Sequence, residues 1–150
     1  MPNSNYSVQP LFPFIGATKS SNGVITLSPV TLTVTGSDNR AQIDIDGMQQ
    51  LILYIRFIPH ASDTNAVLDM TVDYSPDGTN FYQEVTEESA TTTITEYQAT
   101  RQFTGATGGT TYSFRVPVPI ADAKKLRISF RETAGTNFGT LSCLALTSGQ

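Results

Sequence analysis

This 150-residue chain has one histidine, His60, and one cysteine, Cys143. A Cys/His pair can meet in space whatever its separation in sequence, and the thiolate would then act as a nucleophile. No orienting group or nucleophile motif accompanies either residue, and Cys143, set between Ser142 and Leu144 in an apolar run, reads as a small core residue. Asp63, Asp69, Asp73 and Asp77 raise the question of calcium. Asp69 and Asp73 share one face of a strand, but four residues of extended chain separate them by roughly 13 Å, too far to ligate one ion at about 2.4 Å. They read as solvated carboxylates. Glu84, Glu87 and Glu88 could supply the carboxylate pair of a glycosidase only at a defined separation across a cleft, and they read as charged hairpin ends. Neither a phosphate-cradling glycine loop nor a zinc-ligand set is present. The expectation is a protein that is not an enzyme, with no catalytic residue, cofactor or metal.

Binding chemistry is more legible. In "LDMTVDYSPDGTNFYQEV", residues 68–85, strict alternation runs into "SPDGTN" and out again. Pro76 presets its own φ, Asp77 can accept from nearby backbone amides, and Gly78 takes the positive φ that ends a turn. Hairpin chemistry explains all three. Asp77 and the outward Tyr82 are the groups left to a ligand, with Phe81 on the inward phase beside Gln83 and Val85. Arg127 and Arg131 share the outward phase of a later strand, after Lys124 and Lys125. That basic strip suits either an acidic neighbouring subunit or a solvent-facing edge guarded against strand pairing.

The elements that must position these groups are strands. "SPVTLTVTG" sets Val30, Leu32 and Val34 against three threonines, and "AQIDIDG" sets Ile43 and Ile45 inward. "LILYIRFI" is largely apolar on both phases, so its second face, with Tyr54 and Arg56, is covered by an N-terminal arm or meets another molecule. Residues 68–75 follow as its partner strand. A weaker strand is expected near 94–103. In "TYSFRVPVPI" Pro117 and Pro119 each remove a donor and demote the segment to a sheet edge. "KKLRISFRE" and "FGTLSCLAL" close the chain. Residues 1–14, with three prolines and no period, read as an extended arm whose Tyr6, Leu11, Phe12 and Phe14 lie along the domain's own sheet or dock on a neighbour. The whole is an all-β sandwich over residues 15–150, jelly-roll or immunoglobulin-like, with about eight to ten strands.

Composition narrows the partners. A net charge of −4 gives no footprint for nucleic acid or an anionic membrane. No apolar run approaches a membrane span and no signal-type segment opens the chain, so a soluble protein is expected. The single cysteine permits no internal disulfide.

Two resemblances follow. "VDYSPDGTNFYQEV" looks like the hairpin of discoidin-like, carbohydrate-binding jelly rolls, with Phe81 where those carry tryptophan. From residue 34 to 146, the strand before "SPDGTNF", that hairpin, "KKLRISFRE" and the closing apolar strand are similar in order and texture to small virion structural proteins of tailed bacteriophages. The second resemblance implies a capsid decoration, cement or head-associated protein, homo-oligomeric and soluble in the host cytoplasm before assembly. Its partner would be the major capsid protein or another virion protein. The expected partner-binding residues are Tyr6, Leu11, Phe12, Phe14, Tyr54 and Arg56. The first resemblance implies the alternative, a host-glycan module using Asp77 and Tyr82.

Overall fold

Where apolar residues recur at every second position, a chain buries one side only by extending and pairing with its neighbours. A computed structural model describes residues 7–8, 11–83, 85–87, 96–98, 100–120, 122–134 and 136–149. Tyr6, Glu84, Glu88 and Ile94 lie outside the described residues. In chain order the strands are β1 (Ser7–Val8), β2 (Phe12–Ile15), β3 (Ala17–Lys19), β4 (Ile25–Leu27), β5 (Val30–Thr31), β6 (Arg40–Asp44), β7 (Met48–Ile58), β8 (Ala66–Ser75), β9 (Tyr82–Gln83), β10 (Val85–Glu87), β11 (Glu96–Gln98), β12 (Thr100–Gly105), β13 (Tyr112–Val118), β14 (Lys125–Ala134) and β15 (Thr140–Gly149). A single 3₁₀ turn, Gly36–Asn39, precedes β6. No helix among the described residues is long and apolar enough to cross a membrane.

Eight of these strands set the topology. β2 pairs with β15, β6 with β14, β7 with β13, and β8 with β12, all antiparallel. First meets last, second meets second-last, and so inward, as in one long hairpin ribbon. Two further ladders, β15 with β7 and β14 with β8, roll that ribbon into two sheets, ordered β2-β15-β7-β13 and β6-β14-β8-β12. This is a jelly roll, and it decides between the two sandwich types expected from the sequence. β1 and β5 extend the first sheet along β15, β9 extends the second along β8, and β3–β4 and β10–β11 form separate two-stranded pairs.

The core lies between the sheets. Leu51, Leu53, Ile55 and Phe57 of β7 with Leu141, Cys143 and Ala145 of β15 face Leu68, Met70 and Val72 of β8 with Leu126, Ile128 and Phe130 of β14. At the open edge the sheets are tied across. Arg101 donates from Nη1 to the Pro117 carbonyl at 2.7 Å, and the Tyr74 hydroxyl donates to the Pro119 carbonyl at 2.9 Å. Phe103 and Phe114, on the edge strands of the two sheets, meet with ring planes tilted by 36° and centroids 4.8 Å apart. The two prolines do place β13 at the edge of its sheet.

Several expectations are corrected. The strand expected through Val30–Thr35 is only two residues long, because Thr33 turns its hydroxyl to Asp38 and to the Thr35 carbonyl. Leu32 is fully buried while Val34 is 62% exposed. β8 is not the partner of β7: both edges of β7 are taken by β13 and β15, and the chain crosses to the other sheet through residues 59–65. β14 is an inner strand, so its arginines guard no edge. In the N-terminal segment, Phe12–Ile15 is a strand of the domain's own first sheet. Phe12 and Phe14 are half-buried against the core, and Leu11 is half-buried too.

Gly139 shows how tightly the strand ends meet. Its N–H donates to Glu132 and its carbonyl accepts from the Leu32 amide. An added Cβ would collide with the Ile58 carbonyl oxygen and lie 2.9 Å from the Pro59 Cα. Gly139→Ala is therefore expected to cost about 1–3 kcal/mol, as overpacking does. A urea titration should show a lower midpoint at unchanged slope.

Candidate interaction surface

The two outer faces of the sandwich differ in how their charges are satisfied. On the second sheet, cross-strand register builds the rows Arg131–Asp69–Gln102, Ser129–Thr71–Thr100 and Arg127–Asp73–Gln83. Asp69 and Asp73 are each only 2% exposed, so they are not the solvated carboxylates expected from the sequence. Arg127 meets Asp73 at 2.9 Å, and Arg131 meets Asp69 at 3.3 Å. Arg40 donates to the Ser129 hydroxyl, and Lys125 lies 3.6 Å from Asp44. The Arg127 guanidinium also sits over the Phe81 ring, 4.4 Å from its centroid. Phe81 thus belongs to the outer phase with Gln83, the reverse of the sequence expectation, because Tyr82 takes the register position opposite Tyr74. On this face each buried aspartate has a cation across the strand, the arrangement that offsets its desolvation, while Oδ1 of Asp69 has no hydrogen-bond partner.

Asp77 is similarly occupied. Its Oδ1 accepts from the amides of Thr79 and Asn80 and from the Ser75 hydroxyl, and its Oδ2 accepts from the Asn80 side-chain amide. The Asn80 and Thr79 amides hold this carboxyl well below the usual carboxylate range. The loop consumes its acid. Tyr82, by contrast, is 62% exposed.

On the first sheet the register gives the rows Pro117–Ile52–Leu146, Arg115–Tyr54–Leu144–Pro13 and Ser113–Arg56–Ser142. Tyr54 and Arg56 therefore sit together, and β13 adds Arg115, directly across from Tyr54 and diagonal to Arg56. A shallow groove of about 420 Å³ lies between β7 and β13 at this point, lined by Tyr54, Arg56, Ser113 and Arg115. Tyr54, Leu144 and Leu146 are half-buried, and Arg56 and Arg115 are exposed. Neither arginine takes part in a salt bridge among the described residues. Arginine and tyrosine beside aliphatic area are the side chains that dominate protein–protein contacts. Sequence reasoning missed Arg115. Its signal was the alternation of "TYSFRVPVPI", which puts Arg115 on the phase opposite Phe114 and Val116, and register with β7 was needed to place it beside Tyr54.

No family model and no curated protein matches this chain. Among solved structures, one of infectious bursal disease virus, Gx strain, overlaps it with a TM-score of 0.42 at 16% identity, covering 96% of this chain and 32% of that one. This chain thus spans about a third of that chain's length, and the overlap is too loose to carry an assignment.

Cys143 is fully buried and burial pushes its thiol up, while His60 is exposed in the turn after β7 and accepts the Ser62 amide at Nδ1. Asp63, 4% exposed, accepts the amides of Thr136 and Asn137. Glu132 projects on the core phase of β14, 2% exposed, with Oε2 accepting the Gly139 amide at 2.7 Å and Oε1 unpartnered. Burial raises its pKa above the ordinary value, and the Asp63 charge adds to this against the Gly139 hydrogen bond. A carboxyl whose folded pKa is raised supports the fold fully below its unfolded pKa and loses that support as pH climbs through the folded value. Stability of the wild type is therefore expected to fall from pH 5 to pH 8. Glu132→Gln, which keeps an acceptor for Gly139, should flatten that slope and be at least as stable as wild type at pH 8. Urea midpoints across the range decide it; an equal loss of stability at both ends would overturn the assignment.

Proposed function

We propose that this chain is a non-enzymatic structural component of a virion, a jelly-roll subunit that attaches to capsid or other virion proteins through the outer face of its first sheet. The observation that carries the reading is the arginine pair. Arg40, Arg127, Arg131 and Lys125 all have side-chain partners, yet Arg56 and Arg115 form no ion pair among the described residues and lie on a half-apolar face beside Tyr54. Desolvating such groups against a carboxylate-bearing partner supplies both affinity and register. The virion context is supported by the topology, which recurs in capsid domains, and by the likeness in strand order to tailed-phage structural proteins. Because the fold also serves lectins, topology alone assigns no function.

The N-terminal segment is the second element. Pro13 lies in the same outer row as Leu144 and Tyr54, so a partner seated on this face would meet the N-terminal strand at Pro13, while Phe12 and Phe14 pack against the core. Decoration or cement duty at the shell, with the major capsid protein as partner, is the most specific form of the proposal.

One observation favours the glycan-binding alternative: Tyr82 stands 62% exposed at the hairpin. Asp77 cannot assist it without giving up its own loop. Glycan-array signal lost on Tyr82→Ala would favour that reading.

The decisive experiment is co-sedimentation with particles of the encoding virus stripped of this chain. Arg56→Glu with Arg115→Glu should weaken binding at least about tenfold, since single interface anchors are worth about 2 kcal/mol or more. Its urea midpoint should stay within about 0.5 kcal/mol of wild type, both positions being exposed surface. Binding by the double variant at wild-type strength would remove the face from consideration.

A further inference from the structure

The arginine face has a complement on the same molecule, at the other end. Where β6 turns into β7, residues 45–49, the strand end after β13 and the tip of the Pro76 hairpin enclose an open notch of about 750 Å³. Asp46, Met48, Ile120, Asp122 and Lys124 line it. A neighbouring groove adds Asp44, Asp77 and Lys125. Of these four carboxylates Asp44 is engaged with Lys125 and Asp77 with its own loop. Asp46 and Asp122 are exposed and, among the described residues, form no salt bridge. They outnumber Lys124.

The separation of the two patches decides what kind of contact they allow. Met48 and Arg56 are eight residues apart on β7, roughly 26 Å along an extended strand. The notch therefore lies at one end of the sandwich, and the arginines lie towards the other. The one acid in the turn next to the arginine end, Asp63, is buried and bound to backbone amides. A two-fold contact through the arginine face would set four guanidiniums against one another with no acid between them. A contact between unlike patches brings carboxylates to guanidiniums and the half-buried Met48 side chain to Tyr54. Unlike patches on one chain join copies head to tail, as a ring if the rotation closes and as an open chain if it does not.

We propose that this protein self-associates head to tail, the Tyr54–Arg56–Arg115 face of one copy receiving the Asp46–Asp122 rim of the next. The inference rests on the reading of that face as an interaction surface and commits its occupant to a second copy of the chain.

Light scattering on the full chain tests it. At low ionic strength the wild type should exceed the monomer mass in a concentration-dependent way. The mass should fall towards the monomer as salt approaches 1 M, where screening acts within about 3 Å. Arg56→Glu/Arg115→Glu and, separately, Asp46→Arg/Asp122→Gly should each be monomeric. The glycine is chosen because Asp122 has φ +60, which glycine adopts without strain. Mixed in equal amounts, the two monomeric variants should associate again, because each altered patch now meets its opposite. A wild type that stays monomeric at all concentrations overturns the proposal, as does an oligomer indifferent to the Asp46/Asp122 change, or a mixture that stays apart while both variants keep the wild-type urea midpoint. Particle binding separates this inference from the one beneath it. A monomeric wild type whose particle binding is lost in the arginine variant sinks head-to-tail association alone. Particle binding that survives the arginine variant sinks the face itself.

Discussion

A backbone amide taken out of water must find a partner, and among the described residues of this chain nearly all such partners are on another strand. The single cysteine offers no internal cross-link. Every inner strand must therefore bond on two edges while turning one row of side chains away from water. Two sheets facing each other satisfy both demands, and the ribbon pairing of first strand with last is how this chain meets them. Much else follows from that arrangement. Strand ends are forced together, so Gly139 has no room for a side chain; buried turns need acceptors, which Asp63 and Glu132 supply; and the open edge is closed by side chains reaching to proline carbonyls.

The outer faces show what is left when the core is complete. On the second sheet the charges answer one another across β8 and β14, and a ligand would have to break existing pairs to bind there. On the first, tyrosine and two arginines lie among aliphatic side chains, and among the described residues no carboxylate pairs with either arginine. An acidic protein that leaves two guanidiniums unanswered has a surface suited to carboxylates from elsewhere. That asymmetry, more than the fold, is what the proposed attachment rests on.

Alternation separated the two faces of β6, β8, β13 and β14, and Pro117 and Pro119 marked where a sheet stops, whereas β7 and the end of β15 are apolar on both phases. It did not tell which strand lies beside which, because a period of two reports a face and not a neighbour. Hence β8 was expected beside β7, and Arg115 went unnoticed until the register set it next to Tyr54. The buried aspartates failed for a related reason: the outward phase was equated with solvent. A usable signal existed. Asp69 and Asp73 are spaced by four, as are Arg127 and Arg131, so one antiparallel register pairs both at once. That the N-terminal segment lies along the domain's own sheet was one of the two readings open to it, and its prolines hide the strand, only four residues long, that decides for Phe12–Ile15.

The position of β15 bears on how the molecule comes into being. It lies between β7 and the N-terminal strands, and β1, β2 and β5 have it as their sole neighbour in the sheet. During translation those segments leave the ribosome before β15 and wait while more than a hundred residues are added, with Phe12, Phe14 and Val30 without the strand they lie against. Nor can β7 complete its ladder before then. The first sheet cannot grow strand by strand behind the ribosome; it forms when residues 140–149 arrive, and the newborn chain depends until that moment on whatever in the cell shields its apolar rows.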